Sequence, residues 1–105
     1  MSRPKEVDAK VVANIIRFGG DIDKERPVDF FFYFPTEYAA CQVEVKLLNL
    51  GFSTDLHYLD KNKGWSLSAN KIMKISTDRV YELGLWFKKV AEEQGGEYDG
   101  WGSPI

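Results

Sequence analysis

The chain has 105 residues, enough for one domain spanning 1–105, and its 44% hydrophobic and 14% aromatic content excludes a disordered polymer. The formal net charge of −2 gives nucleic acid no attraction from overall charge. One cysteine, Cys41, excludes an internal disulfide framework and fits a reducing, cytoplasmic setting. The opening "MSRPKEVDAK" is too polar for an apolar targeting segment, and no apolar run reaches the roughly 18 residues of a membrane helix.

Lys5 to Phe18 predicts a helix, with Val7, Val11, Ile15 and Phe18 as its apolar stripe, stopped by Gly19-Gly20. Val28 to Phe34 predicts a strand that is apolar on both faces: Val28, Phe30, Phe32 and Phe34 on one, Phe31 and Tyr33 beside Asp29 on the other. Thr36 caps a second helix running to Leu50, with Ala40, Val43, Leu47 and Leu50 in line. Phe52 to Leu59 alternates as a strand, "DKNKG" turns the chain, and Trp65, Leu67 and Ala69 alternate with Ser66, Ser68 and Asn70 in a third strand with one wet face. Ser76-Thr77-Asp78 opens a third helix carrying Val80, Leu83, Phe87 and Val90 inward. Gly95-Gly96 ends it, and "EYDGWG" is long enough for a brief fourth strand.

The order of elements predicts an α+β domain: a ferredoxin-like split βαβ sandwich, an antiparallel sheet with two packed helices, preceded by an N-terminal helix. The aromatic strand is central in that topology. The first helix, whose stripe needs a partner, is expected to cover Phe31 and Tyr33. Burying each ring is worth about 1.5–3 kcal/mol that exposure forgoes.

Few residues offer chemistry. Neither a G-x-G-x-x-G nor a G-x-x-x-x-G-K-[ST] loop occurs. His57 is the only histidine and alternates with Asp55 and Leu59 on a strand, a structural position; Cys41 reads as a plain free thiol. The acidic loops at Asp21, Asp23 and Glu25 and at Asp60 and Asn62 lack the glycine and glutamate of a calcium loop and read as solvated turns. No enzyme, cofactor or metal is expected.

Binding readings remain. Glu92, Glu93, Glu97 and Asp99 gather at the end of the third helix, where carboxylates oppose the helix dipole; they read first as a solvated face, with a dock for a basic protein segment as the alternative. Tyr81 and Leu85 lie off that helix's core stripe, Trp86 flanks it, and Trp101 follows in the tail; each is either edge packing or a partner surface. An alternative site is the sheet face carrying Phe31, Tyr33, Asp55 and His57, as in sheet modules that stack single-stranded RNA. Its carboxylates and lack of lysine or arginine make a poor phosphate surface, so no direct nucleic-acid contact is expected. Self-association through a sheet edge or the Tyr81–Leu85 strip is a further alternative, and oligomeric state is open.

"EYDGWG", placed after the last helix, together with "GGDIDKERPVDFFFYFPTEYAA" and "LNLGF" upstream, resembles the regulator of ribonuclease E activity B family over about Asn14–Gly102. The resemblance implies a ferredoxin-like α/β sandwich and a non-enzymatic regulator. Such a protein binds the basic, non-catalytic scaffold part of ribonuclease E and inhibits or modulates the RNA-degrading assembly. Members typically continue past DGWG into a long acidic tail, whereas "SPI" follows here, so a partner other than ribonuclease E stays open. Gly100-Trp101-Gly102 reads equally as a structural plug and as a binding element.

Overall fold

The computed structural model describes residues 5–103; residues 1–4 and 104–105 lie outside the described residues. Seven elements follow one another: α1 (Lys5–Arg17), β1 (Arg26–Phe34), α2 (Glu37–Asn49), β2 (Ser53–Asp60), β3 (Gly64–Met73), α3 (Thr77–Glu93) and β4 (Glu97–Gly102). The strands form one antiparallel sheet in the order β2-β3-β1-β4. The fold is α+β, with β1 central and β2 and β4 at the edges.

Local chemistry sets the element ends. Thr36 Oγ1 accepts from Ala39 N at 3.1 Å and Ser76 Oγ from Arg79 N at 3.2 Å, so each predicted cap holds a backbone donor that the first helical turn leaves over. The β2–β3 loop is an Asx turn: Asp60 Oδ1 accepts from Asn62 N at 2.9 Å and Lys63 N at 2.6 Å. Gly64 closes this hairpin at φ +77, and a Cβ there would lie 2.2 Å from the Phe34 carbonyl oxygen. Gly64→Ala therefore combines left-handed strain with a clash against backbone, and should cost about 2–4 kcal/mol. A urea denaturation midpoint equal to the parent's would show that the hairpin relaxes freely.

The core lies between the sheet and α2 and α3. Val28, Phe30, Phe32 and Phe34 of β1 are all buried, as the alternation predicts. Phe87 of α3 stands at the centre, its ring 5.0 Å from Phe30, 5.3 Å from Phe32, 5.9 Å from Phe52 and 5.5 Å from Tyr98, mostly edge to face. α2 contributes Ala39, Ala40, Val43 and Leu47. Leu50, predicted to close that stripe, is exposed past the helix end.

α1 does not lie where its stripe suggests. It packs against α3, burying Asp8, Val12 and Ile15 and leaving Val7 and Phe18 exposed. The side chain that turns the helix is Asp8, which is fully buried and accepts a hydrogen bond from Trp101 Nε1 at 2.9 Å. Lys5 also pairs with Asp78 of α3, whose hydrogen bond holds the ammonium pKa above its usual value. A periodicity count treats an aspartate as a solvent residue; here it marks the buried side.

Candidate functional site

The position of α1 corrects the expectation that Phe31 and Tyr33 are covered. They are 40% and 37% exposed on a sheet face that none of the helices among the described residues packs against. The reason lies in their neighbours. Asp29, Asp55, Ser66, Ser68 and Asn70 share that face, and a helix laid over it would bury carboxylates and hydroxyls without partners, at several kcal/mol. Packing Val12 and Ile15 beside α3 extends the existing core instead.

The strand register arranges the open face in three rows. Ser53, Asn70, Asp29 and Gly102 form the first; Asp55, Ser68, Phe31 and Gly100 the second; His57, Ser66, Tyr33 and Glu97 the third. In β4 a bulge inserts Asp99 between Tyr98, opposite Phe32, and Gly100, opposite Phe31. Gly100 makes this turn at φ +113, a conformation that suits glycine. The bulge sends Tyr98 and Trp101 to the core side and leaves Glu97, across from Tyr33, and the bulged Asp99 exposed.

Side-chain bonds set the chemistry of this surface. Asp29 Oδ1 accepts from Asn70 Nδ2 at 2.7 Å, which fixes the carboxylate next to Phe31. His57 Nε2 and Asp55 Oδ2 are 2.8 Å apart, with both side chains two-thirds exposed. Ser66 is the cross-strand neighbour of His57, but no hydrogen bond joins the two among the described residues. A histidine in bulk water beside an unbonded serine is not an activated nucleophile pair. At the hairpin end, a cleft of about 500 Å³ opens between Tyr33, Leu59, Lys63, Ser66 and Glu97. Lys63 is the cation of this cleft and Glu97 its anion.

The other candidate residues fall elsewhere. Glu92 and Glu93 are exposed on α3, in the helical layer, with Lys88 Nζ 3.9 Å from Glu92 Oε1. They are thus separated from Glu97 and Asp99, with which the sequence groups them. Tyr81 and Leu85 are half-buried on α3, and Lys5 of α1 sits 5.9 Å from the Tyr81 ring centre. Trp101 is only 8% exposed and its indole N–H is committed to Asp8, so as a contact residue it is corrected to a structural one. The acidic turns are local: Asp21 Oδ1 accepts from Asp23 N at 2.9 Å. Among the described residues no three His, Cys, Asp or Glu side chains gather as metal ligands would, and no helix is long and apolar enough to cross a membrane.

The DGWG segment thus has two halves: a buried tryptophan that ties β4 to α1, and glycines that leave bare backbone beside Phe31. A family model described as regulator of ribonuclease activity B matches residues 5–103, taking in both the aromatic strand and this segment. The chain belongs to that family. The match spans nearly the whole chain, so regulation of ribonuclease activity is the family's role and the open sheet face is set within a family domain. No curated relative matches the chain.

The exposure of this face has a signal in the sequence. The signal was present in the wet alternation of Ser66, Ser68 and Asn70 opposite Phe31 and Tyr33. A polar strand beside an aromatic one on the same face argues for exposure of both.

Proposed function

We propose that this regulator of ribonuclease activity B family member works without catalysis of its own, by stoichiometric binding of a basic protein segment. The segment expected is in the non-catalytic region of ribonuclease E or of a related RNA-degrading assembly. The observation that carries the reading is one surface: Phe31 and Tyr33 uncovered, with Asp29, Asp55 and Glu97 on the same face and the exposed Asp99 in the adjoining bulge. Exposed aromatic side chains supply contact area that is lost to water until a partner arrives, and aromatics dominate interface hot spots. The carboxylates supply the complement of a cationic chain and speed its encounter. Occupying the partner's scaffold segment changes which proteins assemble there, and so the activity of the ribonuclease.

Exposure of the two rings also favours the RNA-stacking alternative on one count. The same carboxylates oppose it, since they repel the phosphates that supply most nucleic-acid affinity. Charge reversal separates the readings. Glu97→Lys with Asp99→Lys should weaken capture of the purified non-catalytic region of ribonuclease E at least about tenfold at about 0.15 M salt. Glu92→Lys with Glu93→Lys, on the helical layer, should change it less than about threefold. Equal capture by the parent and both variants would remove the electrostatic basis of the proposal. Binding of single-stranded RNA that the Glu97→Lys and Asp99→Lys changes strengthen, without capture of the protein segment, would replace it with the RNA reading.

A further inference from the structure

The side of Phe31 facing β4 carries no side chain. Gly100 lies directly across from Phe31 and Gly102 across from Asp29. A Cβ built on either glycine meets nothing within 4 Å among the described residues. β4 is an edge strand, so this strip of backbone opens to solvent on its outer side as well. On the opposite side of Phe31 stands Ser68, whose side chain is short. The result is a shallow trough with an aromatic wall and a peptide floor. Asp29 stands at one end, held by Asn70, and Glu97, across from Tyr33, at the other, with Asp99 in the bulge of the edge strand between them.

A trough of this kind selects among cations. A ring face attracts a cation that lies flat on it, and a carboxylate at the ring's edge takes two parallel N–H bonds from the same group. Guanidinium is planar, weakly hydrated and forked, so it makes both contacts at once. An ammonium is compact and strongly hydrated, and gives up more hydration to lie on a ring. The bare strip over Gly100 and Gly102 is where the side chain's aliphatic stem would run. The carboxylates at both ends disfavour anionic ligands, with Lys63 the cation that lines the cleft beside Glu97.

We infer that the trough beside Phe31 and Tyr33, floored by Gly100 and Gly102, receives arginine side chains of an extended partner segment in preference to lysine. This rests on the reading of the chain as a binder of a basic segment, and adds which side chain is read and where. It gives the glycines of the DGWG segment a role that Trp101 does not share.

Two synthetic peptides of equal length and charge test it, one alternating arginine with serine and the other lysine with serine. Each is titrated into the full chain at about 0.15 M salt, with backbone amide shifts as the readout. The arginine peptide should bind at least about tenfold more tightly, with shifts concentrated at Asp29 to Tyr33 and Gly100 to Gly102. Gly102→Val fills the trough with a residue that strands accept, and should erase most of that preference. Phe31→Leu keeps an apolar side chain but removes the ring face, and should erase it too; it decides the matter if Gly102→Val fails to fold. Equal affinity for the two peptides, shifts centred on Glu92 and Glu93, or an unchanged preference in both variants would overturn the inference. So would displacement of the arginine peptide by single-stranded RNA. If the arginine peptide binds as described while the ribonuclease E segment does not, the trough stands and only the proposed partner falls.

Discussion

Phe87→Ala is expected to lower the melting temperature by roughly 15–30 °C, followed by circular dichroism. The ring makes contact with Phe30, Phe32, Phe52 and Tyr98 at centroid distances of 5.0–5.9 Å, so it joins α3 to three parts of the sheet layer at once. Truncating a buried phenylalanine typically costs about 3–5 kcal/mol, part lost transfer energy and part cavity. A domain of this size holds only about 5–15 kcal/mol of stability, so the loss is a large share of the whole. Four neighbouring rings have stiff shapes and close the gap poorly, which puts the cost toward the upper end. Phe87→Leu should cost less than about 2 kcal/mol, because much of the volume is kept. A melting temperature within about 5 °C of the parent for Phe87→Ala would mean that the core is assembled around something else.

Changing Phe31 and Tyr33 together to serine should have the opposite profile, leaving the fold and removing the binding. Both rings are more than a third exposed, and their strand neighbours on that face are already serines. The stability cost is therefore limited to strand preference and partial burial, about 1 kcal/mol. Binding is another matter. A central aromatic anchor of an interface contributes about 2 kcal/mol or more, and losing even one lowers affinity about thirtyfold, so the affinity for the basic segment should fall by at least that much. Calorimetric titration with the non-catalytic region of ribonuclease E measures one effect and urea denaturation the other. Lost stability with retained binding would return the rings to the core role that alternation alone suggests, and would remove the open face as the site.

The contrast between these two substitutions shows where pattern reading works. Phe30, Phe32 and Phe34 are legible as core because a strand's period of two is rigid and all three lie in phase with Val28. The caps at Thr36 and Ser76 are legible because the bond that a backbone N–H three residues on donates to the hydroxyl oxygen is local. α1 defeats the same approach. Its best apolar stripe includes Val7 and Phe18, both exposed, and its buried face includes Asp8. What orients it is the bond to Trp101, 93 residues away, which no local count contains.

The carboxylates divide in the same way. Glu92, Glu93, Glu97 and Asp99 are neighbours in sequence, yet the turn after α3 carries the last two into the sheet and leaves the first two on the helix. Asp29 and Asp55 join Glu97 on one face only because β3 and β4 flank β1 and β2 pairs with β3. Charge clusters read along a chain are one-dimensional, and a binding face is drawn across strands.

The sequence by itself determined the element order, the α+β class, the phase of the central strand and the family, because each rests on local periodicity or on a contiguous pattern. Only the tertiary structure decided that Phe31 and Tyr33 face solvent, that Trp101 is internal and that Asp29, Asp55 and Glu97 share a face with the rings. Exposure of the rings and burial of Trp101 turn on the side on which α1 docks, and the grouping of the carboxylates on the strand order. Apolar area alone would place that helix over either surface; the cost of burying the polar half of the open face, and the bond between Asp8 and Trp101, set it beside α3.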